Sequence, residues 1–327
     1  MDLAEFLAEW HNDSPTVLVH TSGSTGKPKP MRVEKRRMEA SARTTCDFLG
    51  LKAGDKALLC MSLDYIAGKM MVVRALVCGL RLIAVTPCGL PRWEGTVDFA
   101  AMVPLQVWNL LHDDEGRERL KRIRHLIIGG GAIDEALERE LQEFPNAVWS
   151  TYGMTETLSH IALRRINGPG RSDYYTPLSG VQVSLNEESC LVIHAPAVHD
   201  GPLVTNDIGR LSPAPSPEES ARIFRILGRK DNVICSGGIK IQIEEVERLL
   251  RPRAREPFII TKAPDTKFGE QVVLLTESND ISALQALCLE LLPKYWQPRR
   301  ILHVDHIPLT ETGKPARAEA EKLARQP

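Results

Sequence analysis

Leu3, Phe6, Leu7 and Trp10 recur at three- and four-residue intervals, so residues 1–14 predict an amphipathic helix with one apolar stripe. A short apolar run, Val17-Leu18-Val19, follows and predicts a strand that opens into a stretch of Gly, Ser and Thr. Residues 36–49 predict a second helix, ended by Gly50. Strand-like and helix-like segments then alternate: a strand over 57–61, a helix over 66–78 closed by Gly79, and strands over 82–85 and 126–128. Asp134 is placed to cap a helix running through Glu143. Such alternation predicts an α/β core with largely parallel strands. From Val181 the pattern shortens. The runs 181–185 and 191–193 predict a small β subdomain, and Pro213-Ala214-Pro215-Ser216-Pro217 a stiff loop. A boundary is expected between Gly228 and Asp231, dividing the chain into a core of residues 1–228 and a compact unit of residues 229–327.

Composition narrows the function classes. Hydrophobic residues make up 43% and charged residues 25% of the 327, an ordinary globular profile. Lys plus Arg number 41 against 42 Asp plus Glu, so no global charge draws the chain to nucleic acid or to an anionic membrane. The most apolar stretch, Met70 to Val85, is broken by Arg74 and Arg81 and is too short to span a bilayer, so no stable membrane insertion is expected. The first residues lack a basic segment followed by an apolar one, and no leader is expected. The seven cysteines are scattered without a Cys-x-x-Cys pair, which argues against a disulfide framework or a thiolate zinc site and for a reducing cytoplasm.

Chemistry concentrates in a few short motifs. In Thr21-Ser22-Gly23-Ser24-Thr25-Gly26-Lys27-Pro28-Lys29, small residues expose backbone N–H groups that can cradle phosphate oxygens, and the lysines add positive charge. It is not a Walker A loop: Gly23 and Gly26 are too close, and Pro28 stands where Ser or Thr would hold magnesium. Gly129-Gly130-Gly131 lies between a predicted strand and a predicted helix. It fails the dinucleotide fingerprint, because Asp134 replaces the last glycine, but it permits close approach of a ligand to backbone. Tyr152-Gly153-Met154-Thr155-Glu156-Thr157 combines a ring, hydroxyls and one carboxylate, a set suited to a stacked base and Mg²⁺. Later come Thr205-Asn206-Asp207-Ile208-Gly209, Gly228-Arg229-Lys230-Asp231, Ser236-Gly237-Gly238-Ile239-Lys240 and Thr310-Glu311-Thr312-Gly313-Lys314. Each of these alone reads more readily as a solvated surface turn.

Taken in order, the motifs resemble those of the adenylate-forming superfamily of acyl-CoA synthetases, peptide-synthetase adenylation domains and luciferases. The resemblance runs from residue 21 to residue 317. It implies a large N-terminal domain of layered α/β sheets, joined by a hinge to a small mobile α+β C-terminal lid. It also implies ATP and Mg²⁺ as cofactors and coenzyme A as co-substrate. On it, Thr21, Ser22, Gly23, Ser24, Thr25, Gly26, Lys27 and Lys29 hold the β- and γ-phosphates. Gly130, Gly131 and Tyr152 line the adenine, Thr155 contacts the α-phosphate, and Glu156 holds Mg²⁺. Asp207 and Arg229 take the ribose hydroxyls, and Asp231 is the hinge. Gly237 and Gly238 shape the pantetheine tunnel, and Lys314 bridges the substrate carboxylate and the α-phosphate. Tyr65, Arg74, Gly129, Gly153, Met154 and His160 are the remaining substrate-side candidates.

Within the superfamily the chain looks most like the o-succinylbenzoate–CoA ligases of menaquinone biosynthesis, through Met102 to Gln106, Leu126 to Gly131 and Tyr152 to His160. That acid has a second carboxylate, for which Arg74 and His160 are the candidate partners, with Gly129 to Gly131 leaving a slot for the ring. A carrier protein in place of CoA, and a non-catalytic homologue, are the competing readings. Several positions depart from the family: Asn206 for a common Gly, and Lys240 and Ile243 for a common Asn and Pro. Only twenty residues precede the phosphate loop, so the first N-terminal subdomain of the family is expected to be largely missing. The stripe of Leu3, Phe6, Leu7 and Trp10 then has two readings of equal standing: it is covered by a second subunit as a homodimer, or it packs on the chain's own core.

Overall fold

The computed structural model describes residues 1–20, 30–133, 135–212, 223–309 and 315–325. Two compact units divide the chain: residues 1–184 with 192–204 and 211–225, and residues 185–191 with 205–210 and 226–327. Residues 229–327 all belong to the second.

The first unit opens with α1 (Leu3–His11), capped by a reciprocal pair in which Asp2 accepts from the Glu5 N–H at 2.8 Å and Glu5 accepts from the Asp2 N–H at 2.8 Å. Of the stripe, Phe6 is fully buried and Trp10 is 8% exposed, whereas Leu3 and Leu7 are half-buried. Next, β1 (Thr16–His20) and β2 (Pro30–Glu34) pair antiparallel, with His20 opposite Pro30. The residues that flank 21–29, His20 and Pro30, are therefore held side by side.

Helices α2 (Lys35–Leu49) and α3 (Ile66–Cys78) both end where expected, on Gly50 and Gly79. Their φ values of +64° and +66° explain the choice of residue, since a Cβ is unfavourable in that region. The remaining elements of the unit are β3 (Lys56–Leu59), β4 (Arg81–Ala84), β5 (Val97–Met102), α4 (Pro104–Leu111), α5 (Asp114–Lys121), β6 (Ile123–Ile128), α6 (Glu135–Leu141), β7 (Ala147–Gly153), β8 (His160–Arg165) and β9 (Thr176–Pro177). They build a seven-stranded sheet in the order β4-β3-β5-β6-β7-β8-β9. The first five strands run parallel, and β8 and β9 return antiparallel. The helix after Gly131 is shorter than expected, and its predicted cap Asp134 lies outside the described residues. Leu58, Ala100, Leu126, Ile128 and Val148 fill one side of the sheet with Val107 and Leu110 of α4 and Leu137 and Leu141 of α6.

Four strands follow as one sheet in chain order: β10 (Gln182–Leu185), β11 (Cys190–His194), β12 (Pro202–Leu211) and β13 (Phe224–Arg229). The small β subdomain is thus present, and the proline-rich residues 213–217 lie outside the described residues.

The second unit adds β14 (Val233–Ser236), β15 (Ile239–Gln242), α7 (Ile243–Leu250), β16 (Phe258–Asp265), β17 (Gly269–Thr276), α8 (Ile281–Leu291), β18 (Arg300–His303) and α9 (Arg317–Ala324). Its sheet runs β15-β14-β17-β16, with β18 parallel to β17. Strand alternation decides the layers. Phe258, Ile260, Val272 and Leu274 pack with α7 and α8, whereas Ile259, Ala263, Val273 and Leu275 pack with Ala320 and Ala324 of α9. Buried Glu247 of α7 accepts both Arg317 nitrogens, at 2.6 and 2.8 Å, and the Ile260 N–H at 2.9 Å. The chain is thereby fixed three residues beyond Lys314. All seven cysteines are free thiols, and among the described residues no helix is long and apolar enough to cross a membrane.

Candidate active site

In an open parallel sheet, ligands bind beyond the carboxyl ends of the strands. In the first unit those ends bring Gly129–Gly131 after β6 beside Tyr152–Gly153 at the end of β7. Gly129 donates its N–H to Met102 O at 3.0 Å. A Cβ there would lie 2.3 Å from Thr151 Oγ1, so any larger residue would have to displace the Thr151 hydroxyl. Gly130 takes a φ of +77°. Tyr152 is 7% exposed, its ring edge-on to Phe224 at 5.2 Å between centroids, and Phe224 stacks on Tyr175 at 5.6 Å.

The chain then makes a tight turn. Gly153 sits at a β-bulge against His160, and a Cβ on it would lie 2.3 Å from Ser159 O. Residues Thr155–Thr157 form one 3-10 turn behind Met154. The Thr157 hydroxyl accepts the Met154 N–H at 3.1 Å and donates to Ser159 O at 2.8 Å. Leu158 is driven to a φ of +65°, a strained value for a branched residue. Thr155 is buried, whereas the carboxylate of Glu156 is exposed and makes no hydrogen bond or ion pair among the described residues.

Beneath this turn lies a polar network in the core. Arg74, only 2% exposed, donates from Nη2 to Ser159 Oγ at 2.7 Å. Ser159 Oγ is 3.3 Å from His160 Nδ1, and His160 Nε2 is 3.0 Å from Thr45 Oγ1. The Thr45 hydroxyl is already committed to Ser41 O at 3.0 Å. With that proton used, Thr45 accepts from His160 Nε2–H, His160 Nδ1 accepts from the Ser159 hydroxyl, and Ser159 accepts from Arg74. The imidazole is therefore neutral, in agreement with burial and the nearby guanidinium, which push its pKa well below the ordinary histidine value. Both His160 nitrogens are thus occupied and its charge is suppressed. Burial pushes the Arg74 guanidinium down to about 10, and no carboxylate pairs with it among the described residues. Its Nε has no hydrogen-bond partner among the described residues. Arg74 thus neither reaches the surface nor meets an acid among the described residues. Tyr65 is 41% exposed at the head of α3, about 13 Å of helix axis from Arg74, so the structure does not bring it to this network.

In the second unit Arg229 links two acids, from Nη1 to Asp207 Oδ1 at 3.2 Å and from Nη2 to Asp231 Oδ2 at 2.9 Å. Thr205 Oγ1 accepts the Asp207 N–H at 3.1 Å, and Asn206 Nδ2 donates to Asp231 Oδ2 at 3.3 Å. The Asn206 that departs from the family thus helps hold Asp231. Gly237 and Gly238, at φ +58° and +83°, form the two-residue turn between β14 and β15. A Cβ on Gly237 would lie 2.9 Å from the Phe268 ring.

Thr21, Ser22, Gly23, Ser24, Thr25, Gly26, Lys27, Lys29 and Lys314 lie outside the described residues. Sequence reasoning missed Ser159 and Thr45, which orient Arg74 and His160. Ser159 was within reach of a local reading, as the neighbour of His160; Thr45, 115 residues away, was not.

The family model for AMP-binding enzymes matches residues 4–201. A 2-succinylbenzoate–CoA ligase of Bacillus mycoides (strain KBAB4) is 24% identical over 358 residues, covering 97% of this chain and 72% of that protein. A crystal structure from Dyadobacter fermentans DSM 18053, described as an acyl-CoA synthetase (AMP-forming)/AMP-acid ligase II-like protein, is 31% identical, with a TM-score of 0.65, and covers 96% of this chain and 91% of its own. The Bacillus subtilis o-succinylbenzoate CoA synthetase, in complex with its acyl-adenylate intermediate OSB-AMP, shares the fold at a TM-score of 0.74 and 22% identity, over 93% of this chain and 68% of its own. With more than half of its length matched by the family model and a layered α/β architecture shared with these enzymes, the chain belongs to the AMP-binding enzyme family.

Proposed function

We propose that the chain is an ATP-dependent acid–CoA ligase acting on o-succinylbenzoate. A carboxylate oxygen attacks the α-phosphate of ATP and pyrophosphate leaves; the CoA thiol then attacks the acyl carbonyl and AMP leaves. Both reactants of the first step are anionic, so the site must supply cations and oriented donors.

Residues 21–29 carry the backbone donors and lysines for the β- and γ-phosphates. Gly129 to Gly131 run beside Tyr152, where the adenine and the acid ring lie, with Gly129 packed against Thr151 and Gly153 and Met154 shaping the turn between them. Thr155 faces the α-phosphate. Glu156, an exposed carboxylate without a partner among the described residues, fits a magnesium ligand. Among those residues no cluster of three acidic, His or Cys side chains is present, which suits a Mg²⁺ held mainly by phosphates and water. Bound there, Mg²⁺ would neutralise phosphate charge. Asp207 and Arg229 take the ribose hydroxyls. Lys314 bridges carboxylate and α-phosphate during the first step. Rotation about Asp231 then exchanges Lys314 for the Gly237–Gly238 turn, which admits the pantetheine arm. Seven free thiols agree with a cytoplasmic setting.

The choice of acid rests on Arg74. A guanidinium that is 2% exposed and without a counter-charge among the described residues costs several kcal/mol unless a ligand supplies the anion. It hangs from Ser159, six residues beyond Gly153 on the same turn as Glu156. A spare carboxylate on the acid completes the pair, as a monocarboxylate does not. Pyrophosphate exchange across a panel of acids tests this: o-succinylbenzoate should be preferred over benzoate, and equal rates for the two remove Arg74 as a reader of the second carboxylate.

A further inference from the structure

In antiparallel pairing, alternate residues turn their backbone N–H and C=O away from the partner strand. Among the described residues β1 has one partner, β2, in a two-stranded sheet, so its other edge presents such groups with no described strand to receive them. At Leu18 both are taken by side chains. Its N–H donates to Glu9 Oε1 at 3.0 Å, and its carbonyl accepts from Lys69 Nζ at 2.6 Å. Glu9 Oε2 and Lys69 Nζ are 3.7 Å apart, so the two form an ion pair laid along the strand edge.

This is an expensive way to satisfy one residue. Lys69 is 3% exposed and stands in the first turn of α3, where the helix dipole disfavours a cation. Burial pushes its ammonium pKa down, and Glu9 only partly offsets this. Glu9 projects from the face of α1 that buries Phe6 and Trp10, and Lys69 Nζ lies 5.5 Å from the Phe6 ring. A two-stranded ribbon is marginal by itself. This one has its outer edge clamped three residues before Thr21, and its end pair, His20 and Pro30, are the residues from which the segment 21–29 departs and returns.

We propose that Glu9 and Lys69 are positioning residues for nucleotide binding: their buried ion pair takes the place of a third strand along β1 and fixes the base of the segment 21–29. The proposal rests on the reading of that segment as the phosphate loop. It assigns a role to α1 that does not involve contact with substrate.

The test uses the full chain and the variants Lys69→Met, Lys69→Arg and Glu9→Gln. Hydrogen–deuterium exchange is followed over residues 16–34, and affinity for MgATP and KM for the acid are measured beside it. Lys69→Met should speed exchange in residues 16–34 while β5 to β7 remain protected as in the parent. It should also weaken MgATP binding about tenfold, the scale of one lost charge-assisted bond, with the acid KM within about twofold. Lys69→Arg, which keeps charge and donor, should recover most of the affinity. Should Lys69→Met fail to fold, Glu9→Gln keeps the shape of the pair without its charge, and exchange and affinity should move in the same direction by about threefold. Faster exchange with parental MgATP affinity overturns the proposal, leaving the pair a purely structural one, and so does unchanged exchange. A parent chain that binds no MgATP overturns the ligase reading and the nucleotide role together, whereas a parent that binds beside unmoved variants overturns the pair alone.

Discussion

Replacing Arg74 with Met should make the free protein more stable and its choice of acid worse. Burial lowers the Arg74 pKa from the ordinary arginine range to about 10, a penalty of roughly 3 kcal/mol on the charged form. Against this stand one hydrogen bond to Ser159 Oγ at 2.7 Å, a long contact to Met71 Sδ at 3.9 Å and the Phe99 ring at 5.9 Å, while Nε is unsatisfied. Methionine fills similar length without charge. Losing the bond and leaving Ser159 one donor short should cost about 1–2 kcal/mol. The net is a gain of about 1–2 kcal/mol, or a rise in Tm of a few degrees on the order of 2–4 °C. The second carboxylate of o-succinylbenzoate then loses its partner, a charge-assisted bond of about 1.5–3 kcal/mol, so kcat/KM for that acid should fall roughly 10- to 150-fold. For benzoate it should change by less than about threefold. Thermal unfolding without ligand and pyrophosphate release with each acid measure the two halves. A variant that is less stable and loses both acids equally would assign Arg74 to the scaffold and refute the reasoning.

Other outcomes follow from the same geometry. His160 has a folded pKa well below its unfolded value near 6.5, so the unfolded chain binds the extra proton and stability falls as pH drops below that value. Between pH 7 and 5 the parent should lose more stability than His160→Gln in urea unfolding, and parallel curves would show that His160 is not held neutral. In Gly153→Ala the new Cβ meets Ser159 O at 2.3 Å and His160 Cα at 2.5 Å, backbone that cannot swing aside. A loss of about 2–3 kcal/mol is expected by denaturant unfolding, and a variant of parental stability would contradict the tight bulge. Lys314→Ala should reduce adenylate formation by about a hundredfold or more while sparing thioester formation from supplied acyl-adenylate; equal damage to both steps would remove the bridging role.

Much of the fold was legible because its punctuation is local. Gly50 and Gly79 end α2 and α3 with the left-handed φ that their positions require. The apolar alternation of strands with helices pointed to the parallel sheet. Strand β5 escaped because Val97-Asp98-Phe99-Ala100-Ala101-Met102 is buried along most of its length and shows no clean period of two. The site was legible as motifs but not as contacts. Gly153 was visible in its hexapeptide, yet the need for glycine comes from Ser159 O folding back across the bulge. Arg74 stood out as a charge in an apolar helix, while Lys69, five residues earlier in the same helix, carried the same signal and passed unremarked. The stripe on α1 was legible but not what covers it, because a pattern of apolar positions says which face is buried and not against what.

The central claim, that this chain joins an acid to AMP, is tested most directly by ATP–pyrophosphate exchange. With o-succinylbenzoate and Mg²⁺, labelled pyrophosphate should enter ATP only when the acid is present. Subsequent addition of CoA should convert the bound adenylate to free AMP and the thioester in equal amounts. Exchange that proceeds without acid, or that is absent with every carboxylic acid supplied, would contradict the account.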